Sequence, residues 1–169
     1  MGKAITVDLP YPSLECIAPD ARSARIIAPS YAGIHGELTA ILQYVYHHFY
    51  FSREGNEQTA STLIGIAVAE MKHLEILGET LLRLGTDPVY SRTPPYKCDF
   101  FSAGFINYSK TARKMLMDDI SGELVAINDY EKILSRLDDE NVAAVISRLK
   151  LDEELHVRVL KAELEKLCR

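Results

Sequence analysis

Gly36–Tyr44 reads GELTAILQY, and Gly122–Tyr130 repeats it as GELVAINDY, with glycine, glutamate, leucine, alanine, isoleucine and tyrosine in the same register. About thirty residues after each copy comes a Glu-x-x-His pair. The two pairs are Glu70/His73 and Glu153/His156. This order of Glu, Glu-x-x-His, Glu, Glu-x-x-His is typical of a site for two metal ions at the centre of a four-helix bundle.

The length, composition and charge of the chain limit the classes of function. At 169 residues, 47% of them hydrophobic, the chain is long enough for one domain with a substantial core. The net charge is −5 and no basic run is present, so we expect no nucleic-acid partner. No apolar run approaches the roughly 20 residues of a membrane span, and the N-terminal residues lack the apolar core of a signal peptide.

The three cysteines, Cys16, Cys98 and Cys168, are far apart in the sequence. No Cys-x-x-Cys pair is present, which excludes a zinc ribbon or a rubredoxin-like iron centre within this sequence. Isolated thiols are typical of a reducing compartment, so we expect a cytoplasmic protein.

Hydrophobic periodicity and capping residues predict four helices, which we name A to D. Helix A is expected to begin near Ser30, an N-cap candidate that follows Pro29. Helix B is expected to end at Gly85, which suits the residue after a helix C-cap. The predicted ranges are 30–53 for A, 57–84 for B, 108–137 for C and 142–167 for D.

Prolines interrupt two other parts of the chain. Residues 1–29 are expected to form an irregular segment packed on the bundle, in which residues 22–27 could form a short helical turn. The bundle itself comprises residues 30–169. Residues 86–106 also cannot form a continuous helix, yet when extended they reach about 70 Å, more than the roughly 42 Å length of helix B. Helix C can therefore begin at the same end as helix B. The predicted fold is all-α, an antiparallel four-helix bundle with one long crossover between helices B and C.

The repeated motif supplies six candidate metal ligands, and residues three apart lie on one helix face. Mixed oxygen and nitrogen ligands suit iron or manganese, and zinc less specifically. If Glu37 and Glu123 bridge the two ions, each ion has such a mixed set. Four carboxylates balance two divalent ions, whereas without metal they would repel each other in the core. The six candidates are Glu37, Glu70, His73, Glu123, Glu153 and His156.

Two tyrosines complete the repeated motif. Tyr44 and Tyr130 lie seven residues after Glu37 and Glu123, so each shares the helix face of its glutamate. A phenol at this position could donate a hydrogen bond to a metal-bound carboxylate of the opposite half, or supply an electron. An ordinary core tyrosine is the alternative interpretation.

Glycines and histidines near the motif have less specific interpretations. Gly36 and Gly122 each cost about 1 kcal/mol inside a helix, so their recurrence indicates a need for close contact or for space. His48 lies near the helix face of Glu37 and could line an access route, although a satisfied or exposed histidine is more common. His35 and His47 are expected to point elsewhere.

On these residues the chain resembles the ferritin-like di-metal carboxylate superfamily over about residues 30–168. The ligand order is similar to that of bacterioferritin, which implies that the six candidates form a dinuclear centre. In bacterioferritin a methionine beside the helix B glutamate binds haem at a two-fold interface. Met71 occupies that position here, but we expect it to be a core residue and expect no haem.

The resemblance also has limits. Residues 1–29, the proline-rich crossover and the absence of a fifth predicted helix differ from bacterioferritin, which argues against its 24-subunit shell. Manganese catalases have a similar ligand plan, and their small relatives in spore coats begin helix A with a similar Gly-Glu-Leu run. Rubrerythrins share the bundle, but this sequence contains no rubredoxin module.

The resemblance implies an oxidoreductase that holds two iron or two manganese ions per chain and acts on O₂ or H₂O₂ as a ferroxidase or peroxidase, with an unidentified electron donor. One alternative is peroxide disproportionation of the manganese catalase type. Others are iron storage of the bacterioferritin type, which needs a closed shell, and a structural module with a vestigial or zinc-filled site. Four aromatic residues on helix A are expected to serve in packing or in a dimer interface, and they favour a homodimer or larger homo-oligomer; they are Tyr46, Phe49, Tyr50 and Phe51.

Overall fold

The structure is a computed structural model that describes residues 3–167, so Cys168 lies outside the described residues. Within this range no helix combines the length and apolar character needed to cross a membrane. Four long helices form a bundle, and a shorter helix precedes them. The helices are α1 (Ala21–Ala32), α2 (Glu37–Arg53), α3 (Glu57–Arg83), α4 (Ala112–Leu134) and α5 (Glu140–Lys166).

Side-chain caps set most of the helix starts. Asp20 before α1, Asn56 before α3, Thr111 before α4 and Asp139 before α5 each accept a hydrogen bond from a backbone N–H of the first turn. These bonds satisfy donors that have no partner inside the helix. Helix α3 ends before Gly85, whose φ of +83° lies in the left-handed region, so the predicted end of helix B is confirmed.

The predicted start of helix A is wrong. Residues 21–29, which were expected to be irregular apart from a short helical turn, belong to α1, and Pro29 lies inside that helix instead of preceding it. The chain then leaves the helical path between Ala32 and Glu37. Glu37 is therefore the first residue of α2, where the sequence had placed it inside a longer helix.

Two glycines explain the interruption. The N–H of Gly33 donates to the carbonyl of Pro29 at 3.0 Å, and Gly36 is extended, with φ −90° and ψ 170°. A Cβ on Gly36 would lie 2.7 Å from the Ser30 carbonyl oxygen, so only glycine fits this close turn. Thr39 then donates its hydroxyl to the Gly33 carbonyl at 2.9 Å, which fixes the first turn of α2 against the break.

The crossover between α3 and α4 contains one short 3₁₀ helix, Ala103–Phe105, and an isolated β-bridge between Ser91 and Phe100. Helix α4 begins at Ala112, later than the predicted start of helix C at Tyr108, because the side chain of Thr111 provides the cap. The predicted ranges of helices B and D agree with α3 and α5 to within two residues.

Contacts between the helices define the topology. The Tyr44 hydroxyl on α2 donates to Glu123 on α4, and the Tyr130 hydroxyl near the end of α4 donates to Glu37 at the start of α2. Helices α2 and α4 are therefore antiparallel, and α4 begins at the end of the bundle where α3 begins. The predicted antiparallel bundle with one long crossover is confirmed.

The apolar core forms two clusters, one toward each end of the bundle. The first cluster includes Ile27, Leu77 and Leu149, and the second includes Phe51, Leu63 and Leu116. Truncation of such a buried leucine to alanine costs about 2–5 kcal/mol. The charged residues of the repeated motif lie between the two clusters, so the apolar residues hold a polar layer at mid-height.

Residues 3–11, which we name the N-terminal strap, lie against α3 and α5. The N–H of Ile5 donates to the Gly65 carbonyl of α3 at 3.1 Å. The guanidinium of Arg148 on α5 donates to the carbonyls of Val7 and Leu9 at 3.1 and 2.9 Å. The strap thereby crosses the bundle beside the polar layer.

Candidate metal centre

One group of four side chains surrounds His73, and we name it the His73 group. Nδ1 of His73 lies 2.7 Å from Oε2 of Glu70, 3.1 Å from Oε1 of Glu153 and 3.7 Å from Oε2 of Glu37. Ligand atoms of all four residues lie within 4.8 Å of one another and are buried, a spacing that could hold one metal ion.

A second group surrounds His156, and we name it the His156 group. Nδ1 of His156 lies 2.9 Å from Oε1 of Glu70, 3.1 Å from Oε2 of Glu153 and 3.5 Å from Oε1 of Glu123. This group meets the same spacing criterion and is also buried. The six predicted ligands are thus brought together in one place from α2, α3, α4 and α5.

The two groups share Glu70 and Glu153. Each of these glutamates turns one oxygen toward each histidine, whereas Glu37 and Glu123 each belong to one group only. The arrangement therefore favours Glu70 and Glu153 as the shared carboxylates, whereas the sequence had led us to consider Glu37 and Glu123 as bridges. The reason is that α3 and α5, which carry the Glu-x-x-His pairs, place their glutamates between the two histidines.

The buried charges have strongly shifted pKa values in the metal-free chain. Burial, together with the nearby charges of Glu70 and Glu153, raises the pKa values of Glu37 and Glu123 well above the usual range. Burial also acts to raise the pKa of Glu70, but His156 and His73 outweigh it and lower that pKa well below its usual range. Of the four glutamates, Glu37 and Glu123 are thus the two whose environment favours the protonated form.

The two histidines are the groups that can carry positive charge among these carboxylates. Burial disfavours the charged imidazole, but the surrounding carboxylates, Glu70 above all for both rings, raise the pKa values of His73 and His156 well above the usual range. Two buried atoms, Oε1 of Glu70 and Oε1 of Glu153, have no aligned hydrogen-bond donor, although each lies close to an imidazole nitrogen. A cation between the groups would satisfy both atoms, so these residues fit a pair of metal ions.

Hydrogen bonds on the outer side of each imidazole fix its orientation. Nε2 of His73 lies 3.0 Å from Oδ2 of Asp152, and Nε2 of His156 lies 2.8 Å from the Ile5 carbonyl oxygen. A carbonyl oxygen can only accept, so Nε2 of His156 carries the proton in that bond. In the neutral ring, Nδ1 then directs its lone pair at the glutamates, as a metal ligand requires.

Asp152 is itself firmly held. It accepts from the Val7 N–H at 2.7 Å and the Tyr11 hydroxyl at 2.8 Å, and Nη1 of Arg148 lies 2.8 Å from its carboxylate. Burial acts to raise the pKa of Asp152, but the hydrogen bonds from His73 and the other donors lower it to about 2. Asp152 and Ile5 were missed from the sequence. The signal for Asp152 was its place directly before Glu153, whereas a backbone carbonyl leaves no signal.

The two tyrosines of the motif connect the halves of the site. Tyr44 donates to Oε1 of Glu123, and Tyr130 donates to Oε1 of Glu37. Both phenols are buried, and burial together with the adjacent glutamate raises the pKa of each well above its usual range. Both phenols therefore remain neutral donors, Tyr44 to Glu123 and Tyr130 to Glu37.

A cavity of about 230 Å³ lies between α2 and α4 and reaches all four glutamates. Gly122 lines it, and a Cβ added there would meet no atom within 4 Å, so this copy of the repeated glycine provides space. Phe105 and Asn107 of the crossover also line the cavity, as does His35, which the sequence had led us to expect elsewhere.

The remaining histidines lie outside the two groups. His48, considered for an access route, places Nδ1 2.9 Å from the Ala60 carbonyl oxygen. His47 is fully buried, and its Nδ1 lies 2.9 Å from both carboxylate oxygens of Asp119. This pair was missed because its members are 72 residues apart and no pattern connects them. Met71 is half-buried against the second apolar cluster.

Comparison with known protein families gives one match over most of the chain. The sequence model of the ferritin-like domain matches residues 32–169, which is most of the chain. The chain belongs to the ferritin-like domain family. The match begins at the end of α1 and includes both copies of the repeated motif. Among curated proteins, none matches this ferritin-like chain significantly.

Solved structures share the fold of this ferritin-like chain. A manganese catalase from Anabaena has a TM-score of 0.78 at 22% identity, covering 95% of this chain and 78% of the catalase. Bacterioferritin from Mycobacterium tuberculosis has a TM-score of 0.72 at 22% identity, covering 89% of this chain and 88% of its own. Rhodobacter capsulatus bacterioferritin, described with a metal-free dinuclear site and haem iron, has a TM-score of 0.73 at 22% identity, with 88% and 86% covered.

Proposed function

We propose that this ferritin-like chain is a dinuclear-metal oxidoreductase that binds two iron or two manganese ions and acts on O₂ or H₂O₂. One observation carries the proposal: Glu70 and Glu153 belong to both buried groups, and each group contains one histidine. Carboxylates shared by both groups, with one imidazole in each group, would suit the ligand preferences of iron and manganese. Such a pair of ions, when bound, supplies two-electron redox chemistry.

The residues of the chain would hold and orient these ions. Glu37 and Glu123 complete one group each, and the phenols of Tyr130 and Tyr44 keep their carboxyl oxygens in place. Asp152 and the Ile5 carbonyl orient the imidazoles. The two apolar clusters exclude water from both ends of the site.

The cavity supports a small oxidant as substrate. Its volume of about 230 Å³ is below the roughly 300–1,000 Å³ of pockets for drug-sized ligands. It is nevertheless large enough for O₂ or H₂O₂ with accompanying water. The ferroxidase or peroxidase reaction is our first assignment, and the electron donor would be a separate molecule.

Peroxide disproportionation of the manganese catalase type is the second candidate. The observation that favours it is the coverage: the Anabaena catalase matches 95% of this chain, whereas the two bacterioferritins match 89% and 88%. Catalase chemistry needs no electron donor, so peroxide consumption with O₂ release in the absence of reductant separates the two candidates.

The test is metal-dependent turnover of the purified chain after addition of Fe(II) or Mn(II), with either O₂ or H₂O₂ as oxidant. We expect Glu37→Ala and Glu123→Ala each to abolish this turnover while the helices remain formed, as circular dichroism would show. The matched control is Glu75→Ala on the exposed face of α3, which should retain turnover. Full activity of either site variant would reject the assigned site.

A further inference from the structure

The two histidines of the site have different outer partners, although the motif that carries them is repeated. His73 faces Asp152, which directly precedes Glu153 on α5. The corresponding position on α3, directly before Glu70, is Ala69, which is fully buried and has no side-chain acceptor for His156. The repeat therefore supplies a carboxylate partner for one imidazole and none for the other.

The N-terminal strap supplies the acceptor that α3 lacks. The Ile5 carbonyl lies 2.8 Å from Nε2 of His156, and the Ile5 N–H is bonded to the Gly65 carbonyl of α3 at 3.1 Å. Gly65 lies one helical turn before Ala69 and allows this approach. A Cβ at Gly65 would lie 3.0 Å from the Lys3 carbonyl oxygen and 3.1 Å from the Ile5 side chain.

We infer that the strap is a working part of the metal centre, because its Ile5 carbonyl positions His156 and thereby completes the second metal position. This inference rests on the proposed dinuclear function. The outer partner of His73 is on a bundle helix, although Val7 and Tyr11 of the strap also donate to it, whereas the outer partner of His156 is itself a strap carbonyl at residue 5. A peptide carbonyl is also a weaker, uncharged acceptor compared with a carboxylate, so the two positions bind metal unequally.

Substitution of Gly65 tests this dependence. In Gly65→Leu the new side chain displaces residues 3–5, while Arg148 and Asp152, which are both on α5, keep their ion pair. Loss of the outer partner of a metal-binding histidine weakens metal affinity about 10- to 100-fold. We therefore expect one Mn(II) ion to bind as in the wild type, and the second to bind about 10- to 100-fold more weakly.

Two further variants make the test specific. Ile5→Pro removes the N–H that donates to Gly65 without adding bulk to α3, so it perturbs the strap even where Gly65→Leu fails to fold. Adding Ala69→Asp to Gly65→Leu places a carboxylate before Glu70, as Asp152 stands before Glu153, and should restore the second ion. Ser61→Leu, one turn earlier on the exposed face of α3, is the matched control.

The measurement is Mn(II) content by equilibrium dialysis and elemental analysis, with electron paramagnetic resonance to separate single from paired Mn(II). The inference requires a single tightly bound ion in Gly65→Leu and Ile5→Pro, and a pair in Ser61→Leu and in the Ala69→Asp rescue. Two tight ions in both strap variants, loss of both ions, or failure of the rescue would overturn it. No metal bound by the wild type would instead overturn the proposed function itself.

Discussion

At the scale of single residues, the site depends on donors that hold carboxyl groups in place without adding charge. Tyr130 and Tyr44 are neutral, fully buried and bonded to Glu37 and Glu123 across the bundle. A buried carboxyl that loses its donor keeps the desolvation cost of burial and loses the compensating bond. The phenols therefore contribute to folding as well as to the arrangement of the ligands.

Removal of one phenol tests this contribution. Tyr130→Phe leaves Glu37 without its donor, and we expect the free energy of unfolding of the metal-free chain to fall by about 1–3 kcal/mol in urea titrations. Tyr96→Phe, at a side chain that is 64% exposed, is the control and should change it by less than about 0.5 kcal/mol. Equal effects of the two substitutions would show that the buried bond contributes nothing.

The pKa values of the ligands predict how metal affinity depends on pH. Burial raises the pKa values of Glu37 and Glu123. Neighbouring carboxylates raise the pKa values of His73 and His156, against the opposing effect of burial. Raised pKa values favour the protonated forms, and a metal ion must displace such protons, so affinity is expected to rise with pH. Calorimetry of Mn(II) binding in buffers of different ionisation enthalpy should detect the release of more than one proton per chain. Binding without proton release would contradict the assigned protonation.

At the scale of the secondary-structure elements, the same residue has different roles in the two copies of the motif. Gly36 is the extended residue that ends the break between α1 and α2, and the nearest atoms around it are backbone. Gly122 lies inside α4 next to open space. The glycine of the repeat therefore permits a close backbone contact at Gly36 and leaves space for the cavity at Gly122.

Alanine at these two positions should have opposite effects on stability. In Gly36→Ala the methyl group would overlap backbone atoms, so we expect a loss of about 1–3 kcal/mol in the free energy of unfolding. Gly122→Ala has room and gains helix propensity, so stability should stay level or rise by up to about 1 kcal/mol. The measurement is urea unfolding of both variants. The same sign and size of change at both positions would contradict the observed break.

At the scale of the whole molecule, the internal repeat explains why so much could be predicted from the sequence. The spacing of Glu70 and His73, and of Glu153 and His156, places each pair on one face of a helix. The repeated motif, the helical periodicity and the family resemblance together predicted the ligands and the bundle. Gly85 correctly marked the end of helix B, but Pro29 was misleading, because it lies inside α1 and that helix ends only at Gly33. The contacts of His47 with Asp119 and of His156 with the Ile5 carbonyl could not be predicted, because they join residues far apart in the sequence. The second contact also uses a backbone atom, which any residue type supplies.

The surface of α2 leads to a prediction about assembly. Phe49 is 62% exposed and Leu42 is 37% exposed, seven residues apart on one face of the helix. We expect this face to pair in a homodimer or larger homo-oligomer, as measured by sedimentation equilibrium. Phe49→Glu should shift the equilibrium toward the monomer because it places a charge in an apolar interface. A wild-type chain that is monomeric at all concentrations would contradict this expectation.

The central proposal is that the two groups that share Glu70 and Glu153 would hold two metal ions, and the most direct test is the metal content of the purified chain. After incubation with Fe(II) or Mn(II) and removal of excess metal, elemental analysis should give close to two ions per chain. The metal already present in the chain as purified, before any addition, would favour either the iron or the manganese alternative. A content near zero with no uptake of either metal would contradict the account and leave a ferritin-like bundle without a functional metal centre.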